Sequence, residues 1–287
     1  MARAPEVLDR IVRAVAEDDF RAYGAHVLIG HESAAHHWSP DARRDVHSVA
    51  KGVCVLAVGM ASDAGLFDVD APVARHFPGW ELGEGVEGVT TRHLLGMTSG
   101  IDLPWSETMM TDWPDLAREF LARPSAGRVF QYSTASTYTA MRALATVVGD
   151  VHEWLLTRLF APLGIEGPEW DRCPHGWIVA AGGLHLSTME VARIGQLIRD
   201  DGLWEGRRVV SPQWPEAMRS GWSWHEADPG YERYSLGGWG GPGAAWRLHG
   251  AYGQLLVFLG DAVVTITADD HFGADRMAER VVEILDS

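Results

Sequence analysis

A serine and a lysine three residues apart are the residues of this sequence best suited to chemistry. Among the 24 basic residues, Lys51 is the one lysine, and all the others are arginines. Arginine keeps its proton in any protein environment, whereas a desolvated lysine can lose its proton and act as a base. A spacing of three on a helix brings two side chains onto one face. Ser48 and Lys51 are therefore predicted to be a nucleophile and its general base.

The residues that follow Lys51 favour this interpretation over a chance match. A serine three residues before a lysine occurs in many proteins, and a single surface lysine could survive compositional drift. Residues 52–61, however, are almost wholly apolar and are typical of a buried helix. A solvated lysine would not normally open such a helix. The free backbone N–H groups of a helix start are also suited to stabilising a developing oxyanion.

Length, composition and net charge indicate a soluble globular protein and argue against some classes of partner. A chain of 287 residues can form one large domain or two interleaved ones. Its 46% hydrophobic and 22% charged residues are typical of a soluble globular protein, and its net charge of −15 argues against a nucleic acid or an anionic membrane as partner. We expect a cytoplasmic protein, because the sequence lacks a signal-peptide pattern, lacks an apolar run of about 18 residues and has only two cysteines.

The order of predicted elements indicates an α+β fold. Strands are expected at residues 25–29, 34–38, 246–249, 253–260 and 262–268. Helices are expected at residues 6–22, 48–64, 114–122, 135–148, 151–160, 187–200 and 272–285. Both chain ends should therefore complete one antiparallel sheet with helices on its faces. We predict a discontinuous α/β sheet domain of residues 1–65 and 181–287, a mostly helical domain of residues 66–180, and a cleft between them that contains Ser48.

Five segments, in this order, resemble the β-lactamase-like serine hydrolases, which include class C β-lactamases, DD-peptidases, family VIII esterases and nylon-oligomer hydrolases. The segments are Val-His-Ser-Val-Ala-Lys at 46–51, Arg-His-Leu-Leu-Gly-Met-Thr-Ser-Gly-Ile at 92–101, Phe-Gln-Tyr-Ser-Thr at 130–134, Ala-Gly-Gly-Leu-His-Leu-Ser-Thr at 181–188 and His-Gly-Ala-Tyr-Gly-Gln at 249–254. The resemblance implies a β-lactamase/transpeptidase-like fold, an antiparallel sheet flanked by helices plus a mostly helical lobe.

The resemblance also implies roles for individual residues. Ser48 would be acylated, with Lys51 as its base and Tyr132 as the relay that moves protons between nucleophile and leaving group. The oxyanion hole would consist of the backbone N–H groups of Ser48 and Tyr252. His249 stands where penicillin-binding enzymes have the lysine of Lys-Thr-Gly. It is either catalytic or a strand residue satisfied by the backbone.

Two departures from the family pattern bear on the substrate. The second motif normally ends in asparagine but here ends in Thr134, and the third motif lacks the lysine that pairs with a penicillin carboxylate. Both favour an esterase or amidase that acts on a neutral acyl group. The alternatives are a small-molecule transacylase and a β-lactamase-fold binding protein whose chemistry has decayed, with true β-lactamase or peptidase activity last.

The expected partner is a small-molecule ester or amide. Its pocket is predicted to include tryptophans and motif residues, namely Trp105, Trp113, Thr134, Trp239, Gly250 and Ala251. The 13 histidines show no spacing typical of a metal site, because His36 and His37 are adjacent and no His-x-x-x-His stands near a carboxylate. We predict neither a metal nor an organic cofactor.

Overall fold

The computed structural model describes residues 3–103, 115–225 and 230–287. The predicted pocket residues Trp105 and Trp113 lie outside these ranges. In chain order, the described strands are β1 Ala22–Ile29, β2 Glu32–His37, β3 Arg44–Asp45, β4 His185–Leu186, β5 Leu203–Trp204, β6 Arg207–Arg208, β7 Ser223–Trp224, β8 Arg233–Tyr234, β9 Trp239–Gly240, β10 Trp246–Gly250, β11 Gln254–Leu259 and β12 Ala262–Ala268. The described α-helices are α1 Ala4–Glu17, α2 Ala50–Asp63, α3 Thr91–Leu95, α4 Leu116–Ala122, α5 Thr134–Val148, α6 Val151–Leu155, α7 Thr188–Arg199, α8 Gln213–Met218 and α9 Ala274–Asp286.

The central element is an eight-stranded sheet in the order β2-β1-β12-β11-β10-β9-β8-β7. All its strand pairs are antiparallel. β1 near the N-terminus pairs with β12 near the C-terminus, with Val27 opposite Val264. The prediction of one antiparallel sheet completed by both chain ends is therefore confirmed.

Helices cover both faces of the sheet. Successive side chains of a strand point to opposite faces, and both faces of this sheet carry apolar side chains that must be buried. Leu255 and Val257 of β11 pack on one face with α1 and α9. Leu256 and Phe258 of the same strand belong to the core of the other face, together with the apolar side chains of α2. A hydrophobic core thus lies on each side of the sheet, as expected from the helices at the chain ends and after Ser48.

α2 is buried along almost its full length, from Ala50 to Ala61. It approaches β10 closely at Gly52, where an added Cβ would lie 2.5 Å from a side-chain methyl of Leu248. Glycine therefore allows the helix that carries Lys51 to pack directly on the strand that carries His249.

The structure corrects several predicted element boundaries. The predicted helix over residues 6–22 ends at Glu17, and the predicted helix over 151–160 is α6 followed by a π-helical turn, Leu156–Phe160. The sheet also contains β7, β8 and β9, which were not predicted. Each of these strands has only two residues, too few to show an alternating pattern in the sequence.

Candidate active site

Ser48 and Lys51 are in direct contact. The Lys51 Nζ lies 2.7 Å from the Ser48 Oγ and 3.3 Å from the carbonyl oxygen of Ala181, which accepts a hydrogen bond from it. Lys51 is 2% exposed. Contrary to the prediction of one α-helix for both residues, Ser48 lies in a 3₁₀ turn, His47–Val49, directly before α2. The tighter turn still brings the two side chains together, since residues three apart align along a 3₁₀ helix.

Asp45 holds the turn that contains Ser48. One of its carboxylate oxygens accepts hydrogen bonds from the backbone N–H groups of His47, at 2.7 Å, and Gly183, at 2.8 Å. The other lies 3.2 Å from the Nδ1 of His47. Burial lowers the pKa of His47, which outweighs the opposite effect of the Asp45 charge. Asp45 therefore connects the Ser48 turn to the segment that supplies the Lys51 acceptor, Ala181.

A cavity of about 420 Å³ opens beside Ser48. It contains most of the predicted site residues and several others. Its lining residues are Ser48, Tyr132, Thr134, Tyr231, Trp239, His249, Ala251, Tyr252, His271, Phe272, Ala274 and Asp275. Trp246, which precedes the third motif on β10, stacks on Phe258 and lines a different cavity.

Gly250 lies at the end of β10 against the Ser48 turn. A Cβ at this position would lie 2.4 Å from the carbonyl oxygen of Val46 and 3.2 Å from the backbone nitrogen of Ser48. The predicted pocket residue Gly250 thus contacts the Ser48 turn through its backbone. Its missing side chain is what permits this close approach.

The second motif places the Tyr132 side chain beside Lys51 and buries the Ser133 side chain against a neighbouring loop. The Lys51 Nζ lies 4.9 Å from the ring centroid of Tyr132. Ser133 is buried, and its hydroxyl donates to the carbonyl oxygen of Leu103 at 2.8 Å. Thr134 is the first residue of α5 and lines the cavity. The motif therefore presents Tyr132 and Thr134 to the cavity, while Ser133 ties the start of α5 to a neighbouring loop.

The third motif has a histidine that is neutral near pH 7. The Nε–H of Arg247 donates to the Nδ1 of His249 at 3.2 Å, and the hydroxyl of Tyr231 lies 3.2 Å from the same nitrogen. Burial and, next, the Arg247 charge lower the pKa of His249 to about 4, against the opposite effect of Asp275. Because Nδ1 accepts from an arginine, the neutral ring carries its proton on Nε2. Side chains, not the backbone, therefore satisfy Nδ1.

Tyr231 connects this histidine to the edge of the cavity. Its hydroxyl donates a hydrogen bond to Asp275. Burial and then this bond raise the pKa of Tyr231. The Arg247 guanidinium lies 4.8 Å from the centre of the Tyr231 ring. A continuous polar network thus runs from buried Arg247 to Asp275 at the cavity edge.

Tyr252, the second predicted oxyanion-hole residue, follows β10 in a left-handed conformation with φ 60° and ψ 22°. Its ring lies 5.1 Å from the ring of His47, the residue before Ser48. Both predicted donor residues therefore line the same cavity. The assignment of their backbone N–H groups to an oxyanion stays a prediction.

Sequence reasoning missed Asp45, Tyr231, Arg247 and Asp275. Arg247 carried a signal, since an arginine two residues before His249 on a buried strand shares its face. Asp275 carried none, because acidic residues are common in the first turn of a helix. Within the described ranges, no group of three or more histidine, cysteine, aspartate or glutamate side chains is arranged to hold a metal ion.

A family model described as Beta-lactamase matches residues 8–280, and the chain belongs to this family. It is 30% identical over 244 residues to the 6-aminohexanoate-dimer hydrolase of Paenarthrobacter ureafaciens, covering 77% of this chain and 61% of that protein. The chain thus spans less than two thirds of that relative's length.

Solved structures agree with this family and with the predicted fold class. A class C β-lactamase superposes with a TM-score of 0.78 at 14% identity, covering 98% of this chain and 95% of the other. A D-stereospecific amidohydrolase from a Streptomyces species gives a TM-score of 0.72 at 16% identity, covering 96% and 97%. These structures confirm the β-lactamase/transpeptidase-like fold, and the family match over residues 8–280 confirms the predicted hydrolase family. None of the helices described is long and apolar enough to cross a membrane.

Proposed function

We propose that the protein is a serine hydrolase of the esterase or amidase type that forms an acyl-enzyme on Ser48. The observation that carries this proposal is the 2.7 Å contact between the Ser48 Oγ and the Lys51 Nζ. Lys51 is 2% exposed, and none of its described contacts is with a carboxylate. A buried amine without a carboxylate partner is suited to accept a proton from the serine hydroxyl.

In this mechanism, Lys51 takes the Ser48 proton while the Oγ attacks the substrate carbonyl carbon. The oxyanion of the tetrahedral intermediate is stabilised by backbone N–H groups at Ser48 and Tyr252. The carbon–leaving-group bond then breaks, and the proton passes through Tyr132 to the departing alcohol or amine. Water attacks the resulting Ser48 ester, gives up a proton through the same groups, and releases the acid with the serine restored.

The third motif supports a preference for substrates without a carboxylate at the position where a penicillin has one. His249 is neutral near pH 7 because burial and Arg247 lower its pKa to about 4. The described cavity lining includes no exposed lysine or arginine that would pair with a penicillin carboxylate. Amides are included beside esters because the curated relative at 30% identity is a 6-aminohexanoate-dimer hydrolase.

The test is covalent labelling with a fluorophosphonate, followed by intact-mass analysis. The wild type should gain the mass of one phosphonyl group, and the Ser48→Ala variant should gain none. The wild type should also hydrolyse p-nitrophenyl butyrate while turning over nitrocefin at least about a hundredfold more slowly. Nitrocefin turnover equal to ester turnover would contradict the esterase preference. A wild type that neither reacts with the probe nor hydrolyses the ester would favour a binding protein.

A further inference from the structure

The cavity beside Ser48 has a single exposed charge among its described lining residues. That charge is the carboxylate of Asp275, whose side chain is 62% exposed. Two cations that contact lining residues are buried, since Lys51 is 2% exposed and Arg247 is 4% exposed. His249 adds no positive charge near neutral pH. A substrate entering this cavity therefore meets the Asp275 carboxylate and the exposed imidazole of His271, and no lysine or arginine among the described lining residues.

The remaining wall is largely aromatic. Trp239 lies at its centre, with its ring 4.8 Å from that of Tyr231 and 5.3 Å from that of Tyr132. At the rim, Phe272 is 94% exposed and Tyr252 is 44% exposed. Exposed aromatic rings beside a reactive serine are available for contact with a ligand. The faces of such rings attract cations, and cages of aromatic residues are the usual recognition site for alkylammonium groups.

Asp275 is held so that it can face a ligand. The Tyr231 hydroxyl donates to its Oδ1, which fixes the carboxylate at the aromatic wall. None of the hydrogen bonds between described residues uses the other carboxylate oxygen, which is therefore available to a cation. The net charge of −15 adds a long-range attraction for positively charged molecules.

We infer that the cavity selects substrates that carry a primary or quaternary ammonium group, held by Asp275 and the aromatic rings. This inference rests on the proposed function, because it concerns the substrate of the Ser48 site. It narrows that proposal from substrates without a carboxylate to a stated chemical class: esters or amides with a cationic group near the scissile bond.

The first experiment compares pairs of esters that have the same shape but differ in charge. Acetylcholine is compared with 3,3-dimethylbutyl acetate, which places the charge on the alcohol side. The p-nitrophenyl ester of 4-(trimethylammonio)butyrate is compared with that of 5,5-dimethylhexanoate, which places it on the acyl side. In at least one pair, the cationic ester should have a kcat/KM about tenfold higher or more. Equal values in both pairs would overturn the inference.

The second experiment changes the charge of the cavity. Asp275→Asn should reduce the cationic-to-neutral ratio of kcat/KM to about one or two. The matched control is Glu279→Gln, since Glu279 is an exposed acid one turn further along α9 and does not line the cavity. This control should keep the wild-type ratio. If Asp275 only stabilised the start of α9, Asp275→Asn would lower stability and leave the ratio unchanged, which would overturn the inference.

A binding measurement separates failure of this inference from failure of the proposed function. The Ser48→Ala variant is titrated calorimetrically with both members of each ester pair, so that no turnover is needed. The cationic ester should bind about tenfold more tightly in the pair that the cavity prefers. Lack of labelling and hydrolysis in the wild type together with such binding would refute the hydrolase alone. Equal binding of cationic and neutral esters would refute the ammonium site, whatever the turnover.

Discussion

At the scale of single residues, the role proposed for the lone lysine is one that the chain's arginines could not fill. Lys51 is buried against Ser48 and contacts no carboxylate among the described residues, so an ion pair does not hold it there. Arginine in the same place would stay protonated. Because every other basic position of this chain is an arginine, replacing Lys51 by arginine tests directly whether Lys51 acts as the base.

The Lys51→Arg variant should fold but lose ester turnover by roughly a thousandfold or more, because a guanidinium cannot accept the serine proton. Turnover of p-nitrophenyl butyrate and fluorophosphonate labelling measure the loss, and thermal unfolding checks the fold. A normally melting variant with most of its activity would show that Lys51 is only a structural cation.

Tyr132→Phe should keep the fold and reduce kcat roughly a hundredfold, the scale of general acid–base help. The matched control is Tyr234→Phe. The Tyr234 hydroxyl is buried without a hydrogen-bond partner in the described structure, and its ring lies 5.8 Å from that of Tyr132. This control should keep most of the activity. Equal losses in the two variants would assign Tyr132 to packing.

At the scale of elements, the site depends on β10 lying against the Ser48 turn. Gly250→Ala would introduce a Cβ 2.4 Å from the carbonyl oxygen of Val46, a backbone atom that cannot move out of the way alone. The strand must then move away from Ser48, at a cost of about 1–3 kcal/mol in the free energy of unfolding. Ester turnover should fall together with stability.

Urea denaturation and kcat/KM check this prediction. Gly88→Ala is the control, because the nearest atom to a Cβ there is the end of the Arg128 side chain at 3.8 Å. Its stability and activity should stay close to those of the wild type. A Gly250→Ala variant with wild-type stability and turnover would show that β10 and the Ser48 turn are not tightly packed.

Elements with a long sequence pattern were predictable, and short ones were not. The predicted strand at residues 262–268 is β12 with the same bounds, and the predicted helix at 187–200 is α7 with Ser187 as its N-cap. The two-residue strands β7, β8 and β9 carry no such pattern. The same limit applies to the site: Ser48 and Lys51 share a local motif, whereas Asp275 meets the cavity only through tertiary packing.

At the scale of the whole molecule, the chain ends are structural partners. β1 and β12 pair along seven positions between Ala22–Ile29 and Ala262–Ala268, and α1 and α9 share the core on one face of the sheet. The third motif on β10 is two strands away from β12 in the same sheet. The division into a sheet domain and a helical domain at residues 65 and 181 stays a prediction. Because the paired chain ends and β10 belong to one sheet, segments that are far apart in the sequence lie together beside Ser48.

Several histidines make the stability of the whole molecule sensitive to mild acid. Burial is the main cause of a lowered pKa at His26, His47, His76, His93, His225 and His249. A histidine with a folded-state pKa below its unfolded value takes up protons first in the unfolded chain. Its contribution to stability is therefore complete above about pH 6.5 and is lost as the pH falls toward its folded-state pKa. Partial neutralisation of the −15 net charge acts in the opposite direction over the same range.

A His249→Gln variant separates these two effects, because it removes one buried titrating group and barely changes the net charge near pH 7. The pKa of His249 is lowered from 6.5 to about 4. Between pH 7 and pH 5, this shift should cost the wild type about 2 kcal/mol of unfolding free energy that the variant does not lose. Glutamine can still accept the Arg247 hydrogen bond through its amide oxygen. Urea denaturation of both proteins at the two pH values measures the difference. An equal change in stability for wild type and variant would mean that His249 titrates alike in the folded and unfolded chains.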